Sequence, residues 1–272
     1  QGFVGLAQYE EARQVCEKIL HLKPDSVEAH FILGCVYQAC GALPEARLAL
    51  RKAELLDETN IGVKALLGLV SQCMGQLEEA MGYYLKVLEV QPNHSDALIN
   101  LGVIYQSAGE REHAQELYER ALAVDENSVP ALINLGSVYV EILDFEGAEK
   151  LLRRAYGLAP ESIQVLNALA LCLKNQGLLD EAREISGKVL EQDPHQAHAL
   201  MGYHLALPVL HRTEDSIDSV RRDYAKGLES VSKALVLDSS ERVIEAVDAI
   251  TSTTNFCLHY QGRNDLELQK SY

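Results

Sequence analysis

Four glycines, Gly34, Gly68, Gly102 and Gly136, stand 34 residues apart, and Ala170 holds the next place in the series. Leu33, Leu67, Leu101, Leu135 and Leu169 precede those small residues. Ala46, Ala80, Ala114, Ala148 and Ala182 follow twelve later, with Ala12 one period before them, and Tyr37, Tyr105 and Tyr139 follow three later. A fixed period of this length constrains the chain more than any other feature does. It implies one supersecondary unit repeated and stacked, because each unit buries its apolar face only against its neighbours.

The pattern inside one period is that of two helices. The small residue predicts the crossing point, since antiparallel helices approach closely where Gly or Ala leaves room for the facing backbone. Between the helices the chain reads C-G-A-L, M-G-Q-L, A-G-E-R and Q-G-L-L, which puts Gly41, Gly75, Gly109 and Gly177 where a helix C-terminus favours a left-handed residue. Leu143 breaks that rule. Pro24, Pro92, Pro160 and Pro194 are placed to end second helices, with Asp or Ser nearby to cap the next one, while two units carry Glu58 and Glu126 instead.

These residues resemble the tetratricopeptide-repeat (TPR) pattern of L-G-x-x-Y followed by A and then P. The fold expected is all-α, a TPR superhelix (α-α solenoid) followed by non-repeat helices and a short extended junction. In this frame residues 1–26 are a truncated half-repeat holding the end of one first helix and its partner, residues 27–196 are five repeats, and residues 197–272 are a helical junction leading toward an absent C-terminal domain. Both ends read as those of a fragment.

Composition narrows the class of partner. Asp and Glu total 40 against 24 Lys and Arg, a formal net charge of −16, and such a surface repels phosphate backbones and anionic lipid. Nucleic acid and membrane are therefore excluded as expected partners, and no apolar run reaches the roughly 20 residues that span a bilayer. A cytoplasmic location follows as the expectation. Cys16, Cys35, Cys40, Cys73, Cys172 and Cys257 form no C-x-x-C pair and read as reduced structural thiols.

In a TPR array the first helices line the groove, and the frame places a carboxamide-rich set there. Gln38, Gln72 and Gln106 share one position, Asn100 and Asn134 another, and Asn175 a third. A row of amides can hydrogen-bond the backbone of an extended peptide without reading its side chains. The plainer alternative is ordinary solvated polar residues. The surfaces where a cation would capture a C-terminal carboxylate hold Glu28, Phe31, Ala65, Asp96, Ile99 and Gln164 instead, which argues against such capture.

Periodicity ends after residue 196. Pro208 interrupts the next helix, Thr213 is placed to cap a longer helix with apolar positions Ile217 to Leu235, and Ser239 or Ser240 starts another through Val243, Ile244, Val247 and Ile250. TNFCLHYQGRND then reads as an extended stretch. LPVLHRTEDSI and NFCLHYQGRNDLELQKSY resemble the junction of bacterial SPINDLY-like proteins, of the O-linked N-acetylglucosamine transferase family. That resemblance implies the polypeptide-binding arm of a UDP-sugar-dependent glycosyltransferase. Asn100 and Asn134 match the family's asparagine ladder, whereas Ile32, Leu66 and Ala168 depart from it.

No nucleotide motif or catalytic set is present in this chain, so the expectation is no enzyme activity, no cofactor and no metal, with protein or extended peptide segments as partners. His195, His198 and His204 form a weak metal pattern that packing explains as well. His259 would line a catalytic lobe in the resembling family. Two readings compete with the transferase arm: a free-standing TPR adaptor for multiprotein assembly, and the TPR arm of a different transferase. Exposed terminal repeats also offer a surface for self-association.

Overall fold

The computed structural model describes residues 2–205 and 214–252, which form helices and, among the described residues, no strand. They divide into two compact units, Gln1–Ala131 and Leu132–Tyr272. The first contains α1 (Gly2–Leu22), α2 (Val27–Ala39), α3 (Leu43–Leu56), α4 (Ile61–Cys73), α5 (Leu77–Val90), α6 (Ser95–Ser107) and α7 (Arg111–Val124). The boundary falls within α8 (Val129–Glu141), and the second unit continues with α9 (Phe145–Leu158), α10 (Ile163–Asn175), α11 (Leu179–Gln192), α12 (Ala197–His204), α13 (Glu214–Ala234) and α14 (Ser240–Ser252). The expected extended junction, with Pro208, Thr213, Cys257 and His259, lies outside the described residues.

Within a unit, α2 packs on α3, α4 on α5, α6 on α7 and α10 on α11, and each hairpin then packs on the next. The repeated glycines sit at these crossings, but what faces them is a side chain sixteen residues later and not backbone. A Cβ on Gly68 would stand 2.6 Å from Tyr84 Cε1, one on Gly102 2.5 Å from Tyr118 Cε1, and one on Gly136 2.8 Å from Leu152 Cγ; Gly34 faces Leu50 in the same way. A large second-helix residue fills the space that the missing Cβ leaves. The alanines Ala46, Ala80, Ala114, Ala148 and Ala182 are buried on the partner helix.

Turns follow the glycine rule and its exception. Gly41, Gly75, Gly109 and Gly177 have φ of 74°, 74°, 81° and 79°, and Leu143 adopts φ 65° in the same slot. Five first helices, α2, α4, α6, α10 and α12, are started by a side chain accepting a hydrogen bond from the amide three residues on: Ser26, Asn60, His94, Ser162 and Gln196. These also recur at 34 residues. Proline is not what sets the second-helix ends, because α3 and α7, followed by Glu58 and Glu126, stop at the same relative place as α5 and α9, followed by Pro92 and Pro160.

One expectation is corrected. Residues 2–22 are one continuous helix and not two pieces; the place that Gly41 holds one period later is taken here by Ala7, a strong helix former that favours continuing the helix over a left-handed turn. On α14 the buried residues are Ala246 and Ala249, while Val243, Ile244 and Val247 are exposed. The helix starts at Ser240 as expected, its small face packs against α12, and Ile250 is partly buried beside it. No helix among the described residues is long and apolar enough to cross a membrane.

Candidate functional site: a first-helix groove

The Gln1–Ala131 unit carries a groove of about 510 Å³ on its first helices. Phe31 and Cys35 of α2, Leu66 and Leu69 of α4, and Ile99 and Asn100 of α6 supply most of its surface, with Asp96 and His94 beside Asn100. The hairpin crossing uses Leu33, Gly34 and their equivalents, and the neighbouring face of each first helix is partly buried against the core, Phe31 and Leu66 on its edge and Ile99 within it, while still lining the groove. The result is an apolar floor bordered by one carboxamide and one carboxylate. Such a surface suits an extended chain that presents apolar side chains and backbone amides.

Of the six carboxamides named from the sequence, Asn100 lines this groove. Gln72 and Gln106 each hold a tyrosine: Gln72 Oε1 accepts from the Tyr84 hydroxyl at 2.9 Å, and Gln106 Oε1 from the Tyr118 hydroxyl at 3.0 Å. Burial drives the Tyr84 phenol above the ordinary tyrosine range, and Asn100 also hydrogen-bonds it. A tyrosine that fills a glycine crossing needs a partner for its hydroxyl, and the glutamine twelve residues before it supplies one. Gln38 precedes Leu50 and has no such hydroxyl to meet. Asn134, on α8, and Asn175, at the end of α10, belong to the second unit, the former half-buried and the latter exposed.

What the carboxamide reading missed is the apolar lining. Its signal was present in the sequence, because Phe31, Ala65 and Ile99 share one position of the frame and Leu66 follows it, all apolar and none required by the crossing. Thiols contribute differently from the expectation: Cys16 and Cys172 are buried and burial pushes both thiols up, but Cys40 and Cys73 are exposed.

Two of the histidines named from the sequence, His195 and His198, are held by neighbours. A ring nitrogen of His195 lies 2.7 Å from the Ala234 carbonyl. His198 Nε2 lies 2.9 Å from Asp248 Oδ2, and its Nδ1 3.9 Å from Glu245 Oε1. Ser186, His198 and Asp248 line one cavity, yet both imidazole nitrogens face carboxylates, so neither is placed to take a proton from the Ser186 hydroxyl. No three His, Cys, Asp or Glu among the described residues group as metal ligands.

Tetratricopeptide-repeat family models match residues 63–127, 104–163 and 143–202. No curated protein sequence matches the chain. Among solved structures, it is similar to a thermophilic TPR protein of Thermus thermophilus, with 20% identity and a TM-score of 0.56 over 75% of this chain and 100% of that one. It is also similar to pilF of Pseudomonas aeruginosa, with 18% identity and a TM-score of 0.63 over 90% and 100%. YrrB, described as a TPR protein with an unusual peptide-binding site, matches with 22% identity and a TM-score of 0.53 over 75% and 98%. The 34-residue period, the glycine crossings and the three overlapping matches agree that this chain carries tetratricopeptide repeats.

Proposed function

We propose that the chain is a protein-binding scaffold in the cytosol whose first-helix groove in the Gln1–Ala131 unit holds an extended segment of a partner protein. The observation that carries this reading is the groove itself: apolar side chains from three successive first helices, bordered by Asn100 and Asp96. Phe31 and Leu66 pack in part against the core of the stack, and with Leu69 and Asn100 they still line a groove that no other described residue fills. YrrB's printed description as peptide-binding supports the same use of this fold.

The test is to select peptides from a random library on the whole chain and measure their affinities by fluorescence anisotropy. Leu69→Asp, which puts a charge on the apolar floor, should weaken binding by about tenfold or more, and Gln38→Ala should leave it unchanged. Selected peptides that bind Leu69→Asp as tightly as the parent would place the interaction elsewhere.

A finer reading is that the array is the acceptor-holding arm of a SPINDLY-like glycosyltransferase. It is supported by the resemblance of LPVLHRTEDSI and NFCLHYQGRNDLELQKSY to that family's junction. Sequencing the reading frame beyond codon 272 tests it: a pair of Rossmann-like lobes supports it, a stop codon leaves a free-standing adaptor, and another catalytic fold makes the chain the arm of a different transferase.

A further inference from the structure

The Leu132–Tyr272 unit contains a cavity of about 230 Å³ between α10, α11, α12 and α14. Its origin lies in the repeat pattern. Where Gly34, Gly68, Gly102 and Gly136 are paired sixteen residues later with Leu50, Tyr84, Tyr118 and Leu152, this repeat has Ala170 paired with Ser186. One methyl is added at the crossing and most of a large side chain is removed, so the space is underfilled. A cavity of about 150 Å³ lined by aliphatic side chains holds a benzene molecule, and this one is larger.

The walls include Ala168, Leu171 and Ala182, but the lining is not wholly apolar. Ser186 is 2% exposed. Its Oγ lies 2.8 Å from where a Cβ on Gly202 would stand, facing a cavity wall, and it hydrogen-bonds to none of the described residues. Lys174 also lines the cavity, half-buried, and no carboxylate among the described residues pairs with it. Burial alone pushes its ammonium below the ordinary lysine range. An ammonium in a partly apolar pocket is costly without a close counter-charge, and Asp248, which with His198 and Asn167 lines the same cavity, is engaged with His198 at 2.9 Å. An anion on an apolar stem would supply that charge, with the Ser186 hydroxyl facing the same space.

We propose that this cavity binds a carboxylate carried on a short aliphatic stem of a polypeptide partner, Lys174 pairing its charge and the Ser186 hydroxyl donating to it. The site is separate from the groove of the other unit and rests on the scaffold reading only for the polypeptide source of the carboxylate. That source is either a chain terminus or an Asp or Glu side chain.

The experiment titrates the full chain by NMR with two matched pairs. N-acetyl-leucine against N-acetyl-leucinamide represents a chain terminus, and N-acetyl-glutamate amide against N-acetyl-glutamine amide represents a side chain. At least one acid should bind about tenfold more tightly than its uncharged partner, and the pair that shows the preference identifies the source. Lys174→Met should abolish the preference while leaving the uncharged probes unchanged, and Ala170→Gly with Ser186→Leu, which refills the crossing, should abolish binding of all four. Acids that bind no better than their partners, or a preference that survives Lys174→Met, would overturn the proposal. Peptides selected for the groove should bind Lys174→Met as they bind the parent, so failure of one site is distinguishable from failure of the other.

Discussion

A single absent Cβ decides the crossings at Gly34, Gly68, Gly102 and Gly136, and the residues that exploit it can be ranked by size. Gly102 leaves room for the Tyr118 ring, whose hydroxyl then donates to Gln106 at 3.0 Å. Gly102→Ala should therefore cost about 1–3 kcal/mol by overpacking, read as a lower urea midpoint with unchanged slope. Leu143 presents the opposite case: it holds φ 65° while 72% exposed, so its side chain gains little from burial and its backbone carries the strain of the left-handed region. Leu143→Gly should stabilise the chain by about 1 kcal/mol, and a lower thermal midpoint would refute that account. The glycines were legible because an identical residue recurs. Their partners were not, because Leu50, Tyr84, Tyr118 and Leu152 share a position and a large volume but not an identity, and pattern-matching on identity passes over both that bulk and its loss at Ser186. For the same reason the tyrosine hydroxyls that donate to Gln72 and Gln106 were not legible, since they come from that position.

At the scale of the helix, start and stop signals explain most of the agreement between sequence and structure. The cap series Ser26, Asn60, His94, Ser162 and Gln196 was hidden by the variety of residues that can accept one hydrogen bond from an amide, though the spacing was there to be found. Asn60→Ala should destabilise α4 by about 1 kcal/mol, with faster hydrogen exchange in its first turn. α1 differs from the expectation because a break between two helices was expected where Ala7 stands in the glycine's place, whereas α14 starts at Ser240, one of the two expected starts. The pairing of Ala170 with Ser186 predicts a signed coupling at this scale. Ser186→Leu alone should crowd the Ala170 methyl, and Ala170→Gly alone should enlarge the cavity. The double variant, restoring the pair used by the other crossings, should be more stable than the sum of the two by about 1–2 kcal/mol. Additive effects would mean that the two side chains do not share the space.

Over the whole molecule, 40 acidic residues against 24 basic ones set up a self-repulsion that no individual contact reveals. At pH 7, raising salt to about 1 M, where the Debye length is about 3 Å, should raise the thermal midpoint. The exposed pairs that salt also weakens, such as Lys150 with Glu146 at 2.8 Å, are worth little each. Acid acts in the other direction. Hydrogen bonds from Arg13 and then Gln14 hold Glu10 at about 2, and those from Arg153 and then Gln176 hold Glu149 below the ordinary carboxylate value of 4.5. A carboxyl with a depressed folded pKa contributes stability above its unfolded pKa and loses it as pH falls through the folded one. The midpoint should therefore decline as pH drops below 4.5 and continue to decline toward about 2, because these acids must be protonated before the fold yields their share. Arg153→Met removes the partner that Glu149 and Glu181 have in common, at 2.6 and 2.7 Å, and should flatten the upper part of that acid limb. A variant whose midpoint falls with pH as steeply as the parent's would show that the limb arises from net charge and not from these paired carboxylates.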